Sequence, residues 1–334
     1  MTQPDPPDIE ARISAFRGQL AELKTELKKE YLGSLEVLEQ LLYALLADGH
    51  ALLEGAPGLG KTTLVKAIAA SLKLSFSRIQ FTPDLMPADI VGARILEESA
   101  AGGHSFRFER GPLFANIVLA DEINRATPRT QSAMLEAMQE GQVTVFGDTL
   151  VLDDPFMVIA TQNPIEMEGT YPLPEAQLDR FLCRIEIPYP SERELVQILE
   201  ATTSTREHVM RPVLDAAGLL EMRAMVREVP TSSDILKQAA RCVCLTDPRN
   251  PRAPERVRQL VRFGSSPRGG QAMILLAKAR ALMNGRPWVT SEDLVAVAAP
   301  ALRHRLVLSY EGEASDVRPD QLIEDVLGAM QTGS

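Results

Sequence analysis

Gly55-Ala56-Pro57-Gly58-Leu59-Gly60-Lys61-Thr62 forms a complete phosphate-binding loop, G-x-x-x-x-G-K-T. The apolar run Ala51-Leu52-Leu53 leads into it, and the helical pattern Thr63-Leu64-Val65-Lys66-Ala67-Ile68-Ala69-Ala70 follows. A strand, a glycine-rich turn and a helix in that order aim unpaired backbone N–H groups and a helix N-terminus at nucleotide phosphates. Residues Ala56 to Thr63 are therefore expected to cradle the phosphates of ATP, with Lys61 reaching the β- and γ-phosphates and the Thr62 hydroxyl on Mg²⁺.

Outward from the loop, Phe76 to Phe81, Ile117 to Ala120, Phe156 to Ala160 and Ile185 to Pro188 read as strands separated by helical or polar segments. Apolar strands alternating with helices predict a parallel sheet covered on both faces. Gln142 to Val145 and Thr149 to Val151 alternate across Phe146-Gly147-Asp148, a hairpin signal. Ala93 to Phe108 is expected to hold short strands around a flexible segment from Ser99 to His104. Ile9 to Lys29 reads as a charged helix, and Leu35 to Leu46 as a second one that packs on the sheet domain. From about residue 191 the pattern is mostly helical, with breaks at Asp247-Pro248 and Ser265-Ser266-Pro267. The expected organisation is an N-terminal helical extension (1–29), a nucleotide-binding α/β domain (30–190), and a linker with a small helical lid (191–334).

The 334 residues suffice for two domains with a full core. A formal net charge of -10 argues against reliance on nucleic acid or an anionic membrane surface. The polar, acidic start is unlike a signal peptide, and no apolar run approaches the roughly 20 residues that span a bilayer. No membrane insertion and a cytoplasmic location are expected. The odd set Cys183, Cys242 and Cys244 offers no disulfide framework, and no second cysteine pair completes Cys242-x-Cys244 as a metal site. His50, His104, His208 and His304 show no compact ligand spacing and are read as surface or hydrogen-bonding residues.

Asp121-Glu122 closes an apolar strand where it can meet the phosphate loop. Asp121 suits the Mg²⁺ shell, and Glu122 suits orientation and polarisation of the attacking water. Asn163, beyond another strand, either bonds the γ-phosphate or the water through its amide or simply starts a turn before Pro164. Thr161 sits at the same strand end without an assignable role. Arg180 is either a cation for phosphate or an ion-pair partner of Asp179 or another acid; Arg268, at a helix start, either crosses to phosphate or faces solvent.

Several separated motifs together resemble the MoxR family of AAA+ ATPases over about residues 30 to 310. They are His50 to Gly55 with the loop, Gly111-Pro112-Leu113-Phe114-Ala115-Asn116, Leu119 to Ala126, Gln131 to Met138, Ala160-Thr161-Gln162-Asn163-Pro164, and Leu173 to Phe181. The resemblance implies an αβα AAA+ P-loop domain with a parallel central sheet and a helical lid, assembled as a homo-hexamer. It makes Asn163 the polar sensor, Arg180 a residue presented to a neighbour's ATP, and Arg268 the lid sensor. Leu32 and Gly33 match the segment lining the adenine pocket. Phe81 to Phe108 looks like an insert within the second core helix, and Gln142 to Val151 like the hairpin before the polar sensor.

The implied activity is Mg²⁺-dependent ATP hydrolysis coupled to remodelling, maturation or metal or cofactor insertion in a protein client. A separate protein with a von Willebrand factor A domain is the expected partner. A DNA-stimulated motor and a nucleotide-gated interaction protein with little turnover are the alternatives.

Overall fold

The computed structural model describes residues 6–98, 104–145, 147–163, 169–203 and 209–332. Residues 99–103 of the expected flexible segment, Phe146, Pro164 and His208 lie outside them.

Five strands form one parallel sheet in the order Phe76–Gln80, Ile117–Asp121, Met157–Gln162, Ala51–Glu54, Cys183–Glu186. Ile117–Asp121 is buried at every position, as a strand covered on both faces must be. The pleat sends Leu53, Leu119 and Ile159 into one core and Leu52, Val118 and Val158 into the other. Because all five strands run the same way, the segments that leave their carboxyl ends gather along one edge.

The Ile9–Lys29 expectation is met by a helix over Pro6–Leu27, and its role is larger than that of an extension. Phe16, Leu20, Leu23 and Leu27 form a buried stripe at alternating steps of four and three. This stripe packs on both the phosphate-loop helix Lys61–Ser71 and the lid helix Pro267–Met283. One apolar cluster accordingly runs from the first helix through a sheet face into the lid.

The lid is built from helices including Ala216–Glu228, Ser233–Leu245, Pro267–Met283, Ser291–Leu302 and Pro319–Thr332. A short antiparallel ribbon, Val261–Phe263 with Val307–Leu308, was not foreseen in the sequence. Asp293 ties its helices together: burial alone would raise its carboxyl pKa, but bonds from Arg286, Thr290 and Arg280 bring it down to about 2. Within and just beyond the segment Phe81 to Phe108, Gly92–Glu98 pairs antiparallel with His104–Arg110, and the expected hairpin pairs Gln142–Val145 with Asp148–Val151. No helix among the described residues is long and apolar enough to cross a membrane.

Candidate functional site

The phosphate loop leaves the sheet after Glu54 and enters the helix Lys61–Ser71. Gly58 and Gly60 have φ of 81° and 78°, a left-handed backbone that a side chain would strain. An added Cβ at Gly58 would meet nothing within 4 Å, so the outside of the loop is open space. A cavity of about 350 Å³ lies there, lined by Lys61, Thr62, Thr63, Asp121, Glu122 and Asn163 among others. The Lys61 ammonium donates to the Gly55 carbonyl at 2.7 Å. Burial lowers its pKa, while the negative charges of Asp121, Glu122 and Glu54 pull the other way.

Asp121 and Glu122 stand on the neighbouring strand end as expected, held by residues that the sequence did not single out for the purpose. Fully buried Thr161 donates through Oγ1 to Asp121 Oδ1 at 2.6 Å and accepts the Glu122 backbone N–H at 2.8 Å. Glu122 has φ 58° and ψ 49°, a left-handed conformation that costs a non-glycine residue energy, and Thr161 helps hold it there. Arg78 Nη2 donates to Asp121 Oδ2 at 2.6 Å, and Gln80 and Arg125 donate to Glu122 Oε2 at 3.1 and 2.8 Å. Gln80 pairs in register with Asp121, and Arg78 lies two residues back on the same face. That adjacency becomes visible only once the strand order is known. Asn163, 8% exposed, lines the same cavity.

Neither Leu32 nor Gly33 lines this cavity, but Gly33 lies against the ring of Tyr31, a residue the sequence did not single out, and that ring also approaches the loop. A Cβ on Gly33 would fall 2.6 Å from the Tyr31 ring, and one on Gly60 would fall 3.9 Å from it. Burial pushes the Tyr31 hydroxyl up to about 12, and its buried oxygen has no hydrogen-bond partner.

Neither Arg180 nor Arg268 joins this cavity. Both line a second depression of about 270 Å³, together with Asp179 and Arg305. The expected crossing of Arg268 to the phosphate of its own chain is therefore not what the single chain displays; its Nη1 lies 3.7 Å from Asp179 Oδ2. The alternative pair of Arg180 with Asp179 is also not formed: Asp179 accepts from Arg305 Nε at 2.8 Å and from Ser266 Oγ at 3.0 Å. Arg180 instead donates to the Leu135 carbonyl at 2.7 Å. Arg305, 3% exposed in its side chain, also binds the carbonyls of Asp179, Phe181 and Leu182, stitching the lid to this segment.

Two of the histidines are buried hydrogen-bonding groups. His50 Nε2 donates to the Met138 carbonyl and its Nδ1 accepts the Val158 N–H, which fixes a neutral ring; burial lowers its pKa. His304 Nε2 donates to Phe181 O.

A family model described as "ATPase family associated with various cellular activities (AAA)" matches residues 50–183, and an "AAA lid domain" model matches residues 253–326. Chaperone MoxR1 of Mycobacterium tuberculosis is 41% identical over 330 residues, covering 96% of this chain and 86% of that protein. Protein MoxR of Methylorubrum extorquens is 30% identical over 331 residues, covering 93% and 94%. A crystal structure of a Cytophaga hutchinsonii protein superposes with a TM-score of 0.90 at 37% identity, over 97% of each chain. Coverage of 96% and 97% shows that the likeness extends beyond residues 30 to 310, into the terminal helices.

Proposed function

The chain belongs to the MoxR family of AAA+ ATPases, and on that premise we propose that it hydrolyses ATP with Mg²⁺ to remodel or mature a protein client. The observation that carries this is the convergence of Lys61, Thr62, Asp121, Glu122 and Asn163 on one cavity at the carboxyl edge of neighbouring strands. The open, Cβ-free outer face of the loop and the carboxylate of Asp121 fit an anionic nucleotide and its metal ion. Thr62 and Asp121 would hold Mg²⁺, which neutralises charge on the phosphates. In this structure the Arg78 guanidinium takes the outer oxygen of Asp121, so an ion on that oxygen displaces or shares it.

Lys61 and the loop N–H groups bind the phosphates, Glu122 orients the attacking water, and Asn163 bonds the terminal phosphate or that water. Gln80 and Arg125 must loosen their hold on Glu122 Oε2 for that oxygen to take up the water. Arg180 and Arg268 line a separate depression and not this cavity, so both are assigned to the ATP of the adjoining subunit in a homo-hexameric ring. In this reading the expected lid sensor Arg268 serves the adjoining subunit's ATP. Loss of the γ-phosphate would then remove contacts across the subunit seam and move the client. Cooperation with a separate von Willebrand factor A domain protein follows from the family resemblance.

The test is client capture. Glu122→Gln should retain ATP, lose phosphate release and enrich one client over the intact chain in pull-downs. Absence of turnover by the intact, assembled protein would overturn the enzymatic reading. DNA-stimulated turnover that added salt abolishes would replace it with the motor reading.

A further inference from the structure

We propose that the helix Glu192–Thr202 of one subunit docks into the apolar groove between helices Ser233–Leu245 and Pro267–Met283 of a second copy, aligning that copy's Arg180 and Arg268 with the first copy's ATP. This rests on the ring reading above and names the surface that makes it.

The helix is well formed yet leaves its apolar face exposed. Its capping box is complete, with the Glu194 carboxylate accepting the Ser191 N–H at 2.7 Å, but none of its residues is buried. Leu195, Val196 and Leu199 are 45%, 49% and 53% exposed and share one face at i, i+1 and i+4. Scattered exposed leucines are ordinary; a contiguous apolar helix face marks a contact surface.

The groove is its concave counterpart. It encloses about 750 Å³ and is lined by Leu236, Ala240, Val243, Ile274 and Leu275, with Leu236 49% exposed. Both surfaces are exposed in the same chain, so they do not satisfy each other there.

Charge selects the occupant. Arg227 lines the groove, and Lys278 Nζ donates to its carbonyl at 3.0 Å. Among the described residues neither cation has a carboxylate within salt-bridge range. The helix brings exposed Glu192 and Glu200 beside its apolar face. Complementary charge of this kind fixes register and discourages other partners.

Position supplies the link to catalysis. Gln271 and Leu275 line both the groove and the depression that holds Arg180 and Arg268. The helix starts just beyond Ile187, whose Cβ lies 3.0 Å from where a Cβ on loop residue Gly55 would sit. Docking groove on helix therefore brings one copy's arginines toward the other copy's phosphate loop. The two patches differ, so the contact is head-to-tail and can repeat around a ring.

Cys244 is exposed and lines the groove, which gives a native reporter. Leu195→Cys, Val196→Cys and Leu199→Cys are each assembled with ATP and treated with a short bismaleimide. At least one should give a ladder of cross-linked multimers that vanishes with Cys244→Ser. Leu199→Arg and Leu236→Arg, both at exposed positions, should each weaken assembly about tenfold or more. If rings form and turnover depends on Arg180, yet no position cross-links and neither arginine weakens assembly, the docking is wrong and the ring stands. If the chain remains a monomer at full turnover, the ring reading falls and the docking falls with it.

Discussion

The phosphate-loop cavity and the arginine depression carry opposite charge logic and are built on different scales. The cavity takes its loop from eight consecutive residues, and its carboxylates and amide from the ends of adjoining strands of one rigid sheet. The depression brings together Asp179, Arg268 and Arg305, from both the sheet domain and the lid. In the cavity one chain gathers N–H donors, a lysine and acids around one space. In the depression it offers cations that share one carboxylate: Asp179 is engaged by Arg305 and Ser266, and Arg268 Nη1 stands 3.7 Å from it. The contrast is between a cavity assembled within one chain and a cationic surface whose counterpart, in the ring proposed above, is the adjoining subunit's nucleotide.

The strongest way to break this comparison is complementation. Arg180→Ala should cost about 10³-fold in turnover, as loss of an arginine finger does. Glu122→Gln should cost on the order of 10²- to 10³-fold. Mixing these two inactive variants should restore activity, because about one junction in four then joins an intact Glu122 to a neighbour's intact Arg180. Phosphate release measured across mixing ratios reads this directly. Full turnover by Arg180→Ala at complete ring occupancy would remove its role in trans.

A smaller effect sharpens the cavity side. Thr161 bridges Asp121 and the strained backbone of Glu122, so Thr161→Val should lower activity about 10- to 100-fold through misplacement of both acids. Thr161→Ser keeps the hydroxyl and should recover most of it. A packing role alone would leave Ser no better than Val, and the dependence of turnover on Mg²⁺ concentration would stay unchanged.

What was legible follows the same division. The loop, Asp121-Glu122 and the parallel sheet could be read because each is written in contiguous residues with a fixed period: strand, turn, helix, or a run of apolar residues closing on acids. Arg78 and Gln80 could not, because they matter only through the strand that lies beside theirs. Tyr31 was passed over because its ring acts through two glycines, one of them in the loop far along the chain. Arg305 looked like one basic residue among many, and its significance appears only when the lid folds back onto Asp179 to Leu182. For Arg268 a helix start is visible in sequence, whereas its place beside Asp179 and Arg180 appears only once the lid is folded.

Asp179→Ala separates holding from reacting. Removing the carboxylate strands the almost fully buried Arg305 guanidinium, which should cost about 3 kcal/mol of stability. Arg180→Ala, whose bond is to a single carbonyl, should change stability by less than about 1 kcal/mol while destroying turnover. Urea midpoints of the two variants test the division. Equal losses would mean that the arginine depression is a structural seam rather than a donor surface.

The smallest predicted effect probes the same seam by pH. His304 is buried against the Phe181 carbonyl, and its Nδ1 has no partner among the described residues. Burial, reinforced by the positive charges of Arg305, Arg184 and Arg303, holds its pKa well below 6.5. The unfolded chain takes up a proton near pH 6.5 while the folded one refuses it, so stability is intact above that pH and declines as pH falls beneath it. Each such histidine contributes a slope of at most about 1.4 kcal/mol per pH unit, and His50, also lowered by burial, adds a second contribution. His304→Gln retains an N–H for Phe181 but cannot titrate, so its urea midpoint between about pH 6.5 and 5.5 should fall less steeply than that of the intact chain. An unchanged slope would mean that His304 takes up a proton alike in the folded and unfolded chains, and so that burial does not hold it neutral.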